Sequence, residues 1–361
     1  MNFFSFTRQG IEELFSGSDI SIHNIKPFMR YIYKKALLRK LTSLEAAVGP
    51  SVERKLKANG LDLSLPGKVV STKVSRYDQS VKLVIEFEGN AQIESVFMPE
   101  KGRVTLCISS QVGCGQGCVF CHTGRMGLKR NLTSSEIVAQ VIHTLNFVNT
   151  DGRYKDVLEK TWIDEASLSE LPVNIVFMGM GEPCDNPEHV VSAVKVMNDP
   201  WALEIAPRRI TISTAGHLDG LKYIEAKLPQ ANIALSIHSF DSRIRSRVMP
   251  INKRYPLQEI LSHVLERYKI DRKVYMIQYT LIAGVNDGKE DALSLTQSLD
   301  ARTCKINLIP LNAVSVSALK EPDVERIEKF RDILHKEGFR VMIRYSKGQD
   351  IAAACGQLVK N

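Results

Sequence analysis

From residue 99 onward, short apolar runs recur along the chain, separated by longer stretches whose apolar positions have helical spacing. The runs are RVTLCIS (103–109), VNIVFMGM (173–180), RRITIST (208–214), NIALSIH (232–238), KVYMIQYTLI (273–282), CKINLIPL (304–311) and FRVMIRY (339–345). Between them, stretches near 133–149, 187–198, 217–228, 256–268, 288–299 and 321–337 read as helices. Strands that are continuously apolar are buried on both faces, so the pattern predicts a parallel sheet covered by helices. Six or seven such units predict an incomplete barrel. Upstream the texture changes. Residues 68–100, KVVSTKVSRYDQSVKLVIEFEGNAQIESVFMPE, alternate apolar and polar positions with turn signals at RYDQ and EGNA, which predicts a small antiparallel sheet. Residues before Pro66 and Gly67 read as short helices. The expected organisation is α/β: a helical domain over 1–66, a β extension over 67–100, and a partial barrel over 101–361. The polar stretch 151–171 is expected to lie on the surface.

Six of the seven apolar runs end in a distinctive polar string: a cysteine loop, GMGEP, STAG, SIHS, PLN and SKGQD. Parallel βα folds carry their functional groups at the carboxyl ends of the strands, so these strings are expected to converge on one composite site.

Composition narrows the class. With 361 residues, 44% of them apolar and 24% charged, the chain has enough core to fold as an ordinary globular protein. No apolar run approaches the roughly 20 residues of a membrane span, and the start MNFFSFTRQGIEELF lacks a basic-then-apolar signal pattern. A cytoplasmic location without membrane contact is expected. Thiols stay reduced there, so seven cysteines argue for metal binding or catalysis over a disulfide framework. The net charge of +8 is compatible with a polyanionic partner. It is concentrated in KPFMRYIYKKALLRKL (26–41), where Phe28, Tyr31 and Tyr33 interleave with six Lys or Arg. As a helix, this stretch offers either a solvated face or a contact to an RNA backbone.

Four of the seven cysteines fall within residues 107–121: Cys107, Cys114, Cys118 and Cys121, with His122 following. The spacing C-x3-C-x2-C among glycines lets a tight loop aim three thiolates at one point. Three protein ligands on a four-iron cluster would leave one iron open, whereas electron-transfer clusters are usually held by four cysteines. A Cys3His zinc site that adds His122 competes with this reading. Adjacent ligands point in different directions, which favours the cluster.

The triplet on the loop after the first barrel strand resembles the radical S-adenosylmethionine (SAM) superfamily. Together, CISSQVGCGQGCVFCHTG, MGMGEP, STAG, VMPINKRYP, GVNDG and DIAAACGQL resemble the RlmN/Cfr family of RNA adenine methyltransferases, in order, from about Glu94 to Leu358. The resemblance implies that Cys114, Cys118 and Cys121 hold a 4Fe–4S cluster. It implies that Gly181 and Glu182 receive the SAM ammonium, and that Ser213, Ser236, Ile237, His238 and Asn312 complete the SAM pocket. Ile237 stands where relatives commonly have leucine. It further implies two catalytic cysteines. Cys355 would take a methyl group from one SAM, and a radical made from a second SAM would activate that methyl for addition to an adenine carbon. Glu94 would accept the ring proton, and Cys107 would attack the Cys355 sulfur to release the product. Cys184 and Cys304 match no motif and read as structural.

The chain departs from the family pattern at His122 and GRMG, and MRYIYKK lacks the usual tryptophan. KINLIPLN and GMGEP resemble the RlmN branch, which implies methylation of carbon 2 of adenosine 2503 in 23S rRNA and, in some members, of a tRNA adenosine. The Cfr branch would instead modify carbon 8. An electron donor such as flavodoxin and a monomeric state are expected. Two other readings remain open at this point: a radical SAM enzyme acting on a small molecule or protein, and a non-catalytic zinc RNA-binding protein.

Overall fold

The computed structural model describes residues 1–16, 22–37, 58, 60–100, 103–154, 173–312 and 318–358. Residues 155–171 of the polar excursion and 38–41 of the basic stretch lie outside them.

The N-terminal part contributes two helices, α1 (Arg8–Leu14) and α2 (Ile22–Leu37). Three antiparallel strands follow: β1 (Lys68–Val74), β2 (Val81–Phe87) and β3 (Ala91–Glu100). β4 (Arg103–Cys107) pairs antiparallel with β3 on one side and parallel with β7 (Val173–Phe177) on the other. Parallel pairing then runs in chain order through β8 (Ile210–Thr214), β9 (Asn232–Ser236), β10 (Tyr275–Leu281), β11 (Cys304–Pro310) and β12 (Val341–Ile343). One ten-stranded sheet results, with β1 and β12 at its edges. Its seven parallel strands are the seven apolar runs, and the sheet is open, with β1 and β12 unpaired with each other. No break separates the antiparallel strands from the parallel ones.

The crossovers match the helical stretches of the sequence. They are built on α4 (Ser134–Thr150), α5 (Pro187–Asn198), α6 (Leu218–Lys227), α8 (Leu257–Asp271), α9 (Lys289–Ser298) and α10 (Val324–Lys336). Local chemistry fixes their starts. Thr133 and Glu136 form a reciprocal capping box at α4, and Asp323 caps α10. Three elements were not expected: α7 (Ser242–Val248), a one-turn helix α3 (His122–Arg125), and a hairpin of β5 (Gln111–Cys114) with β6 (Gly127–Asn131). The hairpin strands have four or five residues and glycine at key positions, too short for an alternation signal. Register brings the strand ends level: Phe177 pairs with Ile212, Thr214 with Leu235, Ser236 with Gln278, and Leu281 with Pro310.

The aromatics of the basic stretch turn out to serve the core. Phe28 and Tyr33 are buried with Phe3 and Phe4, in ring contacts of 5.4–5.8 Å. This knot packs against α4 and α5, leaving Lys26 and Arg30 exposed. Among the described residues, no helix is long and apolar enough to cross a membrane.

Candidate active site

A cleft of about 910 Å³, open to solvent, occupies the carboxyl ends of the parallel strands. Cys114, Cys118 and Cys121 line it together, facing Gly181, Glu182, Ser213, Ser236, His238 and Asn312, and Cys355 joins them. Residues up to 241 positions apart in sequence are thus brought to one space by a fold that stacks strand ends.

Cys114 ends β5, and Cys118 and Cys121 lie in the connection from β5 to β6. Gly113 has φ +79°, and a Cβ there would lie 2.0 Å from the Gly127 carbonyl oxygen, so only glycine lets the hairpin close. The Cys121 N–H donates to the Cys118 carbonyl at 3.1 Å, which tightens the turn. Burial pushes the Cys114 thiol up to about 12, and the Cys118 thiol well above its ordinary range. At Cys118, after burial, the neighbouring Cys121 and Cys114 thiolates also oppose ionisation. Thiols held in this way, Cys114 and Cys118 buried and Cys121 half-buried, ionise against a cationic group that binds them. Three thiols on one loop suit a cluster in which each thiolate meets its own iron. His122 belongs elsewhere. It is not part of the cleft lining, and its N–H donates to the Gly356 carbonyl at 2.7 Å.

On the opposite wall, Gly181 has φ +100° and presses on Gln111, where a Cβ would lie 2.6 Å from the Gln111 Cβ. The Gln111 Oε1 in turn accepts from the Glu182 N–H at 2.8 Å. The Glu182 carboxylate accepts from the Ala215 N–H at 2.7 Å and the Cys184 N–H at 2.9 Å. Burial raises its pKa to about 7 against those donors. A cation arriving in the cleft would meet an aimed carboxylate that ionises to receive it.

Nδ1 of His238 accepts from the Thr280 N–H at 2.8 Å, so the ring proton of the neutral imidazole sits on Nε2. Burial, aided by the charge of Arg245, lowers its pKa to about 3 and keeps it neutral. The Ser213 and Ser236 hydroxyls both donate to Gln278 Oε1, at 3.1 and 3.3 Å. Gln278 was not among the expected site residues, although a glutamine inside the apolar run KVYMIQYTLI was a visible signal for one. Ile237 is not brought into the cleft. Its side chain is fully buried and its N–H is taken by the Gln278 carbonyl at 3.1 Å, as strand alternation after Ser236 requires.

Asn312 lines the cleft with its amide already committed. Nδ2 donates to Ser346 Oγ and to the Cys355 carbonyl, both at 3.0 Å, and Oδ1 accepts from Gln349 Nε2 at 3.0 Å. It works as a clamp on the C-terminal loop. That loop carries Cys355 into the wide cleft and also into a narrow one shared with Cys107, Met178 and Arg344. Both cysteines are free thiols. Burial, then the nearby Cys355 charge, pushes Cys107 up to about 12, while Arg344 pulls the other way. Sequence reasoning missed Arg344.

Glu94 is buried on β3, away from the wide cleft, in an ion pair of 3.0 Å with the equally buried Lys82. The Lys82 Nζ also donates to the Ala352 carbonyl at 3.1 Å, at the base of the Cys355 loop.

Residues 108–296 match the family model described as the Radical SAM superfamily. The "Dual-specificity RNA methyltransferase RlmN" of Desulfotalea psychrophila is 40% identical over 281 residues, covering 78% of this chain and 75% of that one. The protein of the same name from Ruthia magnifica is 32% identical, covering 99% of this chain and 94% of its own. Among solved structures, a radical SAM methyltransferase from Sphaerobacter thermophilus superposes with a TM-score of 0.84 at 32% identity, covering 99% of both chains.

Proposed function

The chain belongs to the RlmN family of radical SAM RNA methyltransferases, and we propose that it methylates carbon 2 of an adenosine of the 23S rRNA A2503 type, with a tRNA adenosine as second substrate. It is a SAM-dependent enzyme that uses a 4Fe–4S cluster. The observation that carries the specific reading is the convergence of two free thiols, Cys107 and Cys355, on one narrow cleft that shares Met178 and Cys355 with the space lined by Cys114, Cys118 and Cys121.

When bound, the cluster supplies the electron that splits SAM, and SAM supplies both the methyl group and the radical. Cys114, Cys118 and Cys121 hold the cluster. Gly181 and Glu182 receive the SAM ammonium; Ser213, Ser236 and the Nε2–H of His238 present polar groups to the rest of the molecule. Ile237 contributes packing behind that wall. Cys355 accepts a methyl group by displacement and carries that carbon to the adenine ring. Asn312 sets where Cys355 stands. Release follows when the Cys107 thiolate attacks the Cys355 sulfur. The S–S bond forms as the S–C bond breaks, and the electron pair of the broken bond leaves with the carbon now on the adenine ring. That carbon takes a proton to become the methyl group, and the disulfide must be reduced before the next turnover. Glu94 takes the ring proton once the Cys355 loop lifts from Lys82; in the arrangement described, the ion pair holds it back. Residues 1–66 serve as an accessory RNA-contacting domain beside a core of 101–361, with 67–100 as the β extension. The enzyme works as a cytoplasmic monomer fed by an electron donor such as flavodoxin.

Mass spectrometry of nucleosides from the rRNA and tRNA of a deletion strain tests this reading. Loss of 2-methyladenosine is the expected result. Loss of 8-methyladenosine would move the chain to carbon 8 chemistry, and unchanged RNA would overturn the reading.

A further inference from the structure

Arg245 is one of the largest fully buried side chains in the protein. It projects from α7, the helix that precedes PINKRYP. Nη1 donates to Asn252 Oδ1 at 2.6 Å and Nη2 to the Ala215 carbonyl at 2.9 Å, while Nε is buried without a partner. Asn252 is itself fixed by donating to Ser246 Oγ at 2.7 Å and to the Ser242 carbonyl at 3.2 Å. Among the described residues, Arg245 makes no ion pair with a carboxylate.

A buried cation without a counter-charge is costly, and natural proteins keep one only where something repays it. Volume alone would be filled better by methionine or leucine. Burial lowers its pKa only to about 10, so it stays charged at neutral pH. Its charge is felt at two places, the Cys118 thiol and the His238 ring. It does not line the cleft, so it cannot touch the substrate. Its helix packs on the cysteine cradle: the N–H of Val119, next to Cys118, donates to the Val248 carbonyl at the end of α7 at 3.1 Å, and a Cβ at Gly117 would lie 3.8 Å from Pro250. Three thiolates outweigh the charge of an oxidised four-iron core, and one-electron reduction adds a further negative charge to the same group.

We propose that Arg245 is the internal counter-cation of the cluster, held on the helix that packs against the Cys118 turn so that it stabilises the reduced, more negative state and raises its reduction potential. This rests on the cluster reading given above. It makes Arg245 a positioning residue for charge, acting through the ligand loop and not on the substrate. It also gives the VMPINKRYP string a physical role, because Asn252 aims the guanidinium.

The test uses full-length chain reconstituted without oxygen, as wild type, Arg245→Lys and Arg245→Met. The reduced fraction is followed by electron paramagnetic resonance during a dithionite titration with redox dyes, with and without SAM. In Arg245→Met, the reduced-to-oxidised ratio at a fixed potential is expected to fall about tenfold, a shift of about 59 mV for a one-electron couple. Arg245→Lys is expected to recover most of it. The gain in melting temperature on cluster loading is expected to be smaller in Arg245→Met than in wild type, whatever the absolute values.

A Met variant that loads iron and titrates like wild type would overturn the proposal, as would a Lys variant that behaves like Met. A shift confined to samples with SAM would also overturn it, assigning the cation to the SAM carboxylate. If Arg245→Met does not fold, Asn252→Ala is read the same way, because it keeps the charge and removes its aim: a lowered reduced fraction supports the proposal and an unchanged one overturns it. A wild-type chain that takes up no cluster would instead sink the reading beneath.

Discussion

The cysteine cradle and the Cys355 loop meet across one cleft, yet they are held in opposite ways. The cradle is built from backbone. A glycine at positive φ lets a hairpin close against Gly127, and the thiols follow from a turn that bonds to itself. The Cys355 loop has no regular pairing and is pinned from outside, mostly by side chains. Asn312 holds the Cys355 carbonyl, Lys82 the Ala352 carbonyl, Asp78 the Gly348 N–H, and Thr123 the Leu358 carbonyl, at 2.7–3.1 Å. Lys347 reaches back to the Pro99 carbonyl at 2.7 Å. On the proposed mechanism, the ligand set that stays in place is fixed by chain geometry, and the nucleophile that faces SAM, then adenine, then Cys107 is fixed by contacts that can be released one at a time. Strands β1–β3 therefore do more than extend the sheet, because Asp78, Lys82 and Pro99 are the wall on which the loop rests.

The largest expected effects separate the two regions. Cys118→Ala and Cys355→Ala both abolish methyl transfer, and iron analysis divides them: cluster loading is lost in the first and stays at wild-type level in the second. If Cys355→Ala lost its iron as well, the two regions would be one cooperative unit.

Next come substitutions that attack each region through its own support. Gly113→Ala would drive a Cβ into the Gly127 carbonyl, costing about 3 kcal/mol or more and most of the bound iron. Lys82→Met leaves the Glu94 carboxylate buried without its ion pair, for which about 3–5 kcal/mol is lost. Denaturant unfolding measures both. Asn312→Ala should be milder. It deletes the clamp on Ser346 and Cys355, loosening the loop by about 1–3 kcal/mol and lowering the methylation rate roughly ten- to hundredfold. Iron content should not change. Faster alkylation of Cys355 would show directly that the loop has been freed.

How much of this was legible in sequence follows the same division. The seven strands and six crossover helices were readable because burial on both faces writes continuous apolar runs, and helices write a period. The cradle was readable because its residue types are rare at that spacing. What sequence hid was hydrogen bonding between distant segments. Nothing local to Asn312 shows that its amide is spent on the loop carrying Cys355, and nothing local to Glu94 shows Lys82 beside it. Ile237 was placed in the pocket by the family resemblance, and nothing local to SIHS shows that its side chain lies in the core. The aromatics of the basic stretch were ambiguous for a related reason, since an amphipathic helix does not reveal what covers its apolar face.

The smallest expected effect is a slope, and it tests whether the fixed wall opposite the cradle is as rigid electrostatically as it is in backbone. His238 is buried neutral, with a pKa lowered from 6.5 to about 3. Unfolded chain therefore binds a proton there that folded chain refuses, so His238 contributes stability above pH 6.5 that is lost as pH falls toward 3, by about 1.4 kcal/mol per pH unit. Glu182 runs the other way. Its pKa is raised from 4.5 to about 7, so folded chain keeps a proton that unfolded chain releases, and its contribution is lost as pH rises between those values. From pH 4.5 to 6.5 the two slopes oppose each other and the cofactor-free wild type should be nearly flat in this respect. His238→Gln removes one slope and leaves the Glu182 slope exposed, so that stability falls as pH rises. Glu182→Gln should leave the His238 slope, with stability rising instead. Urea unfolding of cofactor-free chain at pH 5.0 and 6.5 reads the sign in each case. Equal slopes in the two variants would mean that the wall admits water and that neither group is held in the form its burial dictates.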